Sequence, residues 1–511
     1  MKKGKGIMLQ GTASSVGKSL LTAALCRIFV EDGFSVTPFK SQNMALNSFI
    51  TEDGLEMGRA QVMQAEAAKI KPSVLMNPIL LKPTAEKAAQ VVMNGKVYKN
   101  MTASEYHQHK PKLKDMIGEI YQKLIDSYDI VVIEGAGSPA EINLKENDIV
   151  NMGMAEIADC PVILIGDIDR GGVFASIYGT IMLLDENERK RVKGLIINKF
   201  RGDRKILEPG LKMIEELTGI PVIGVMPYGN LNIEDEDSVT DRFKRVVEGE
   251  NRVKIDIIRL PYISNFTDFH IFDTIPEIQV QYISHTDSID NPDIIIIPGS
   301  KNTISDLKYL RDSGLEVQIL KAYNKGAFVF GICGGYQMLG KKLTDPDSVE
   351  GSIKEIEGLG LLDIETNFEG SKVTTQVEGL IETKGITFNN DDTPMKVSGY
   401  EIHMGRTVLH KNAIPFIRIT NKLGTEADYY DGAIGESGRV FGTYLHGVFD
   451  EMDFTTKLVN YFLEVKGLNK IESTSTLNEF KENEYNKLAN LFRENVDIKT
   501  IYKILGEESP C

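Results

Sequence analysis

Cysteine is scarce in this chain and scattered. Its four thiols, Cys26, Cys160, Cys333 and Cys511, form no CxxC pair. Neither a disulfide framework nor a cysteine-rich zinc site is expected, and a reducing compartment, the cytoplasm, is. No apolar run approaches the roughly 20 residues of a membrane helix, so no membrane partner is expected. Met1-Lys2-Lys3 leads straight into a strand pattern, which leaves the expectation of no signal peptide. Positive charge is also short: 58 Lys and Arg against 73 Asp and Glu give a net charge of -15. That balance argues against general nucleic-acid binding. An anionic substrate would need local positive charge, backbone amides or a metal ion. What is left is a globular chain of 511 residues with ordinary composition. It is too long for one core, so two or three domains are expected.

One stretch organises the C-terminal half. The apolar run Ala327-Phe328-Val329-Phe330 meets Gly331-Ile332-Cys333-Gly334-Gly335, and a helical pattern, Tyr336-Gln337-Met338-Leu339, follows. Strand, tight turn and helix in that order hold a turn residue in a strained conformation, with glycines giving access from both sides. A thiol there faces a helix N-terminus, whose dipole favours the thiolate. Cys333 therefore reads as a nucleophile rather than an inert buried thiol. His446, in Tyr444-Leu445-His446-Gly447, is the preferred base for it and His403 is the competitor. The turn Pro298-Gly299-Ser300-Lys301, after the strand Asp293–Ile297, can present amides to an oxyanion beside Cys333.

The N-terminal half carries a phosphate-binding loop. Strand Ile7–Gln10 is followed by Gly11-Thr12-Ala13-Ser14-Ser15-Val16-Gly17-Lys18-Ser19 and then a helix to about Glu31. In the usual spacing four residues separate the two glycines; here Thr12 takes the first glycine position and Gly11 lies one earlier. The chemistry survives: successive amides cradle phosphates, Lys18 reaches the β/γ oxygens and Ser19 can bind Mg²⁺. After the strand ending at Lys40 comes Ser41-Gln42-Asn43-Met44-Ala45-Leu46-Asn47-Ser48. Amides and hydroxyls clustered there suit a ligand site, with a capped polar loop as the plainer reading. Asp129–Glu134 is a buried strand whose last residue, Glu134, emerges at the same edge, placed to hold Mg²⁺ directly or through water. Glu141, Asn143 and Asp148 add polar candidates behind it. Later strands end at Asp167-Ile168-Asp169-Arg170 and at Asn198-Lys199. Alternating strands and helices make this an α/β, doubly wound domain.

The expected organisation is a P-loop synthetase domain over 1–230, a charged linker over 231–250 and a second α/β domain over 251–455. A helical C-terminal tail over 456–511, partly disordered, ends the chain. The acidic run Glu234-Asp235-Glu236-Asp237 is read as exposed linker rather than a metal site.

Several of these residues also carry a family resemblance. Cys333 in Gly-Ile-Cys-Gly-Gly-Tyr-Gln, with His446 in Tyr-Leu-His-Gly, resembles a class I (triad-type) glutamine amidotransferase domain. The Gly11–Ser19 loop resembles that of dethiobiotin synthetase-like ATP-dependent ligases. Together with Lys40–Ser48, Glu134–Asn143 and Asp167–Ala175, they make residues 5 to about 455 similar to the cobyric acid synthase family of cobalamin biosynthesis. The resemblance implies ATP and glutamine as substrates, Mg²⁺, and four amidations, at the b, d, e and g carboxylates of adenosylcobyrinic acid a,c-diamide. It implies the oxyanion amides near Gly299 and Gly334, an adenine-reading role for Asn198, and a shielded ammonia path. The related cobyrinic acid a,c-diamide synthase carries a Gly-Pro-Asp-Tyr type segment where this chain has Ser41-Gln42-Asn43-Met44. One departure stands out. Most class I domains place a Glu two residues after the catalytic His, and that position here is Val448. Either the pair works without an orienting group or another residue supplies it. Two other readings are an ATPase switch, which would carry a Lys where Ala13 stands, and a scaffold with an inactive thiol. A homo-oligomer is left open.

Overall fold

Near-continuous apolar runs, such as Ile130–Ile133 and Ile294–Ile297, are what parallel strands need when both faces are covered. Both halves of the chain build such sheets. The computed structural model describes residues 4–85, 88–229, 231–233, 252–382, 386–389, 393–472 and 476–509. Two compact units emerge: Met1–Ala45, Met57–Glu236 and Lys481–Cys511 form one, and Leu46–Glu56 with Asp237–Phe480 the other.

The first unit holds a six-stranded parallel sheet. Its order is Val222–Pro227, Val192–Phe200, Val162–Asp167, Lys5–Gly11, Ile130–Glu134, Val36–Phe39. The first strand of the chain is central, and the winding reverses beside it. Ligands of open α/β sheets bind in the crevice at that reversal, outside the carboxyl ends of the strands. The loop Thr12–Gly17 and Glu134 both lie there. A second, four-stranded sheet pairs Gln42–Met44, Ile79–Ala85, Ala88–Met93 and Lys96–Thr102.

In the second unit the strands Ile278–Ile283, Val253–Ile258, Ile294–Ile297, Phe328–Ile332 and Val440–Thr443 run parallel in that order. Long antiparallel strands, among them Ile364–Ile381 and Met395–Leu409, extend the sheet on the far side of Val440–Thr443.

Two boundaries differ from the contiguous ones expected. Residues 46–56 belong with the second unit, held there by Ser48 N donating to Asn265 Oδ1 (3.0 Å), Tyr400 Oη to Ser48 O (3.1 Å) and Thr374 Oγ1 to Gly54 O (3.0 Å). Residues 481–509 are no loose tail. Leu488, Ala489, Phe492, Ile501 and Tyr502 are buried in one cluster with Leu21, Leu25 and Phe29 of the P-loop helix. Burial of each large apolar side chain is worth about 1.5–3 kcal/mol. Arg27 Nη2 pairs with Glu482 at 2.8 Å and Arg493 Nη2 with Asp32 at 2.7 Å, which fixes the helix against that packing. Beyond 231–233, the linker and its acidic run lie outside the described residues.

Candidate functional site

The phosphate loop is built as its sequence requires. Gly17 caps the helix Lys18–Glu31 in the left-handed region (φ 98°), where a Cβ would also strike the Asn198 amide at 2.2 Å. Thr12 N donates to Ile165 O (2.9 Å), tying the loop to the neighbouring strand. Lys18 Nζ donates to the carbonyls of Ala13 (2.9 Å) and Gly137 (3.1 Å), across the mouth of the loop. Ser14 is exposed beside it.

Glu134 is the electrostatic centre of this site. It is 1% exposed, and its Oε1 accepts from Ser19 Oγ and from Lys40 Nζ, both at 2.8 Å. Its Oε2 accepts from the amides of Gln64 and, at 3.5 Å, Gln61. Asn43 Nδ2 donates to Gln61 Oε1 (3.1 Å), and Tyr106 Oη to Gln42 Oε1 (2.7 Å). Lys40 directly, and Asn43 through Gln61, are thereby drawn toward Glu134, while Gln42 is held by Tyr106. Ser19 and Glu134 offer adjacent hard oxygen donors, the type Mg²⁺ selects, with phosphates completing its shell. Among the described residues no cluster of three His, Cys, Asp or Glu side chains forms a self-sufficient metal site.

Asn198 sits under the loop, its Nδ2 donating to Val16 O at 2.7 Å. Glu141 and Asn143 are exposed. Asp148 spends its carboxylate on the backbone amides of Val150 (2.8 Å), Asn151 (3.0 Å) and Gly153 (2.9 Å), at the start of the helix Met152–Ala158.

The thiol site begins at a sharp turn. Cys333 has φ 51° and ψ -107°, between Phe328–Ile332 and the helix Gly334–Met338. Gly335 is needed for close approach: a Cβ there would lie 1.9 Å from Ile297 O. Cys333 Sγ contacts Ile402 O at 3.4 Å. His446 is 1% exposed and engages the Cys333 side chain. Its Nδ1 lies 2.7 Å from Asp268 Oδ2. Burial alone would lower the basicity of this imidazole; the charge and hydrogen bond of Asp268, with the Cys333 side chain, outweigh it and raise the pKa to about 10. The ring is set to be an imidazolium beside the thiol. His403 has a different setting. It stacks on Tyr444 (centroids 3.7 Å apart), its Nδ1 lies 2.8 Å from Gly405 O, and burial lowers its pKa to about 4.

Gly299 and Gly334 both border the thiol site. A Cβ on Gly299 would lie 3.4 Å from His446 Cε1, and one on Gly334 would lie 2.9 Å from Ser300 N. Asp306 accepts from Ser300 Oγ (2.6 Å) and so braces this turn. Gln337 lies one helical turn after Cys333. Its amide accepts from Thr303 Oγ1 and donates to Tyr444 Oη, both at 3.1 Å. Glu350, pushed up to about 7 by burial, accepts from Thr303 Oγ1 (3.2 Å) and Ile304 N (3.1 Å).

Sequence reading missed Asp268. Val448, where most class I domains carry Glu, is buried and apolar, and the carboxylate beside His446 comes from a segment 178 residues earlier. The one available signal was an acid inside the aromatic stretch Phe266-Thr267-Asp268-Phe269. Gln61 and Gln64, one turn apart on the helix Arg59–Ala67, were also missed.

Comparison with known proteins agrees with this two-site arrangement. Residues 7–238 match the family model of the CobQ/CobB/MinD/ParA nucleotide binding domain, and residues 254–454 that of the CobB/CobQ-like glutamine amidotransferase domain. The chain is 62% identical over 503 residues to a cobyric acid synthase of Alkaliphilus metalliredigens, covering 98% of this chain and 100% of that one. It is 53% identical to that of Thermoanaerobacter sp., covering 98% of each chain. Against that of Clostridium novyi it is 52% identical, covering 99% of this chain and 98% of the other.

Proposed function

The chain belongs to the cobyric acid synthase family, and from that membership we propose the division of labour between its two sites. It is a glutamine-hydrolysing amidating ligase of cobalamin biosynthesis. We assign it the b, d, e and g carboxylates of adenosylcobyrinic acid a,c-diamide, one ATP and one glutamine being used for each amide.

A carboxylate is a poor electrophile. In the N-terminal unit its oxygen attacks the γ-phosphorus of ATP, the bond to ADP breaks, and an acyl phosphate results. Lys18 neutralises charge on the transferring group. Ser19 and Glu134 would hold Mg²⁺, which supplies charge neutralisation at the phosphates when bound. Lys40, Gln42 and Asn43 face the acceptor carboxylate. Asn198, braced on the loop at Val16, contributes to the adenine end.

In the second unit the Cys333 thiolate attacks the glutamine carboxamide. Amides at Gly299 and Gly334 receive the oxyanion, and the His446 imidazolium gives its proton to the departing ammonia. Water then releases glutamate from the thioester. Gln337, Thr303 and Glu350 form the polar wall for the glutamine substrate. Ammonia displaces phosphate from the acyl phosphate.

The observation that carries this reading is the Cys333–His446–Asp268 series on a chain that also holds Lys18, Ser19 and Glu134 at one sheet edge. Purified protein with MgATP, glutamine and the a,c-diamide should gain four amides by mass spectrometry, and cobyrinic acid should be a poor substrate. Amidation of cobyrinic acid that stops after two additions would assign the chain to the sibling reaction.

A further inference from the structure

The segment that follows the acceptor strand ends against the glutaminase machinery. Gln42–Met44 is a strand of the first unit, whereas Leu46–Glu56 groups with the second. This arm is held at three points near its start. Ser48 N donates to Asn265 Oδ1 (3.0 Å), Asn265 N to Asn47 Oδ1 (2.7 Å), and Tyr400 Oη to Ser48 O (3.1 Å). All four residues are buried. Both residues that grip the arm also flank the His446 ring. Asn265 Nδ2 lies 3.4 Å from His446 Nε2, and Tyr400 stacks on the imidazole with centroids 5.1 Å apart and planes 17° from parallel.

The chemistry of these contacts has a direction. Ser48 N–H needs an acceptor, so the Asn265 oxygen faces it and the Asn265 nitrogen faces His446. His446 Nδ1 is taken by Asp268, which leaves Nε2 to exchange a proton with Cys333. A donor amide beside Nε2 competes with the thiol for the lone pair of the neutral ring and opposes the N–H of the charged one. Turned by half a rotation, the same amide would accept from the imidazolium and support the charged pair. The Ser48 N–H opposes that rotation. Asn265 also has a left-handed backbone (φ 53°, ψ 38°), a conformation that Asn tolerates and most residues do not. Its side chain therefore has a fixed base from which to turn.

Resting on the reaction proposed above, we infer that Asn265 is a positioning residue through which the carboxylate acceptor governs ammonia release. The arm holds its amide in the orientation that restrains His446. When the acceptor seats beside Gln42–Met44, the arm shifts, Ser48 releases the amide, and Cys333 and His446 are freed. Glutamine is then consumed only while an acyl phosphate waits for its ammonia.

The test measures glutamate release by the full-length protein with glutamine alone, and again with glutamine, MgATP and the a,c-diamide. Amidation with ammonium salt is followed separately. Wild-type protein should hydrolyse glutamine about tenfold faster in the complete mixture, a common size of coupling between sites. Asn265→Gly keeps the left-handed backbone and removes the amide. Its rate with glutamine alone should rise toward the complete-mixture rate through kcat, with the KM for glutamine unchanged, and stimulation should vanish. Asn47→Ala loosens the arm without touching His446 and should lose stimulation as well. Stimulation persisting in both variants overturns the coupling. So does a fall in the basal rate of a folded Asn265→Gly protein, or a wild type that amidates with ammonium yet hydrolyses glutamine at one rate with and without acceptor. A wild type that amidates with neither nitrogen source overturns the underlying reaction, and the coupling with it.

Discussion

Each unit buries one carboxylate at the heart of its site, and the two are used in opposite ways. Glu134 is shared: a lysine, a serine hydroxyl and two glutamine amides converge on it. Asp268 faces His446, 2.7 Å from its Nδ1. A carboxylate with many donors is a hub whose charge is held in place for cations and phosphates, with little dependence on any one partner. A carboxylate aimed at one imidazole fixes a tautomer and a proton position, and everything rides on a single bond. The first design suits phosphoryl transfer, where catalysis is mostly positioning and charge. The second suits a thiol that must be ionised and then hand a proton to its leaving group.

The sharpest way to separate the units is to remove the thiol. Cys333→Ala should abolish glutamine hydrolysis, a loss of about ten-thousandfold or more. The replacement is smaller than the thiol by one atom, so the fold should survive. Amidation with high ammonium should persist and improve at raised pH, where more free ammonia is present. Glutamate release and amide formation, measured on the same preparation, check this. Loss of the ammonia-dependent reaction in a folded variant would draw the thiol into the synthetase step.

Lys18→Ala should do the reverse: amidation with either nitrogen source should fall about a thousandfold, with basal glutamine hydrolysis remaining. Near-wild-type turnover would remove the loop from the mechanism. Glu134→Gln attacks the hub. It removes the carboxylate that Lys40, itself only 5% exposed, pairs with. Breaking a buried pair from one side costs about 3–5 kcal/mol. The variant should therefore lose thermal stability as well as amidation with either nitrogen source, and its melting temperature set against the wild type checks this.

How much could be read beforehand follows the same division. The phosphate loop and the Cys333 turn are contiguous, so local sequence carries the whole geometry: strand, glycines, reactive residue, helix. Glu134 was readable because a strand ends on it. Asp268 was not, because its partner lies 178 positions away and its neighbours are aromatic core residues. The expectation that Val448 leaves His446 without the usual Glu was correct as sequence; the structure supplies the carboxylate from another segment. The chain beyond 456 is helical as expected, but where its last helices pack, like the grouping of residues 46–56, was not legible for a related reason. Periodicity marks Leu488 and Phe492 as one apolar face, but only the packed structure says that the P-loop helix is what they cover.

The smallest of these effects tests the single-bond design itself. Asp268→Asn keeps the size of the side chain and removes its charge. Glutamine hydrolysis should fall about a hundredfold, the low end of what a positioned acid–base group contributes. The pH dependence distinguishes this from general damage. In the wild type, His446 titrates near 10, well above its ordinary 6.5, because Asp268 and Cys333 outweigh burial. A raised folded-state value means that the protonated ring stabilises the protein. That contribution is complete below about 6.5 and disappears as pH rises through about 10. The wild type should therefore lose stability and glutaminase activity together on the alkaline side as the imidazolium is lost. In Asp268→Asn the charge that raised the ring is gone, and burial, which lowers it, acts against a smaller opposition. The alkaline limb should move toward neutrality, so that the rate at pH 9 falls more than the rate at pH 6.5. The decline of melting temperature across this interval should flatten. An alkaline limb that stays where the wild type has it, in a variant shown to be folded, would mean that Asp268 does not set the charge of His446. The comparison between a hub and a single bond would then fail at its second member.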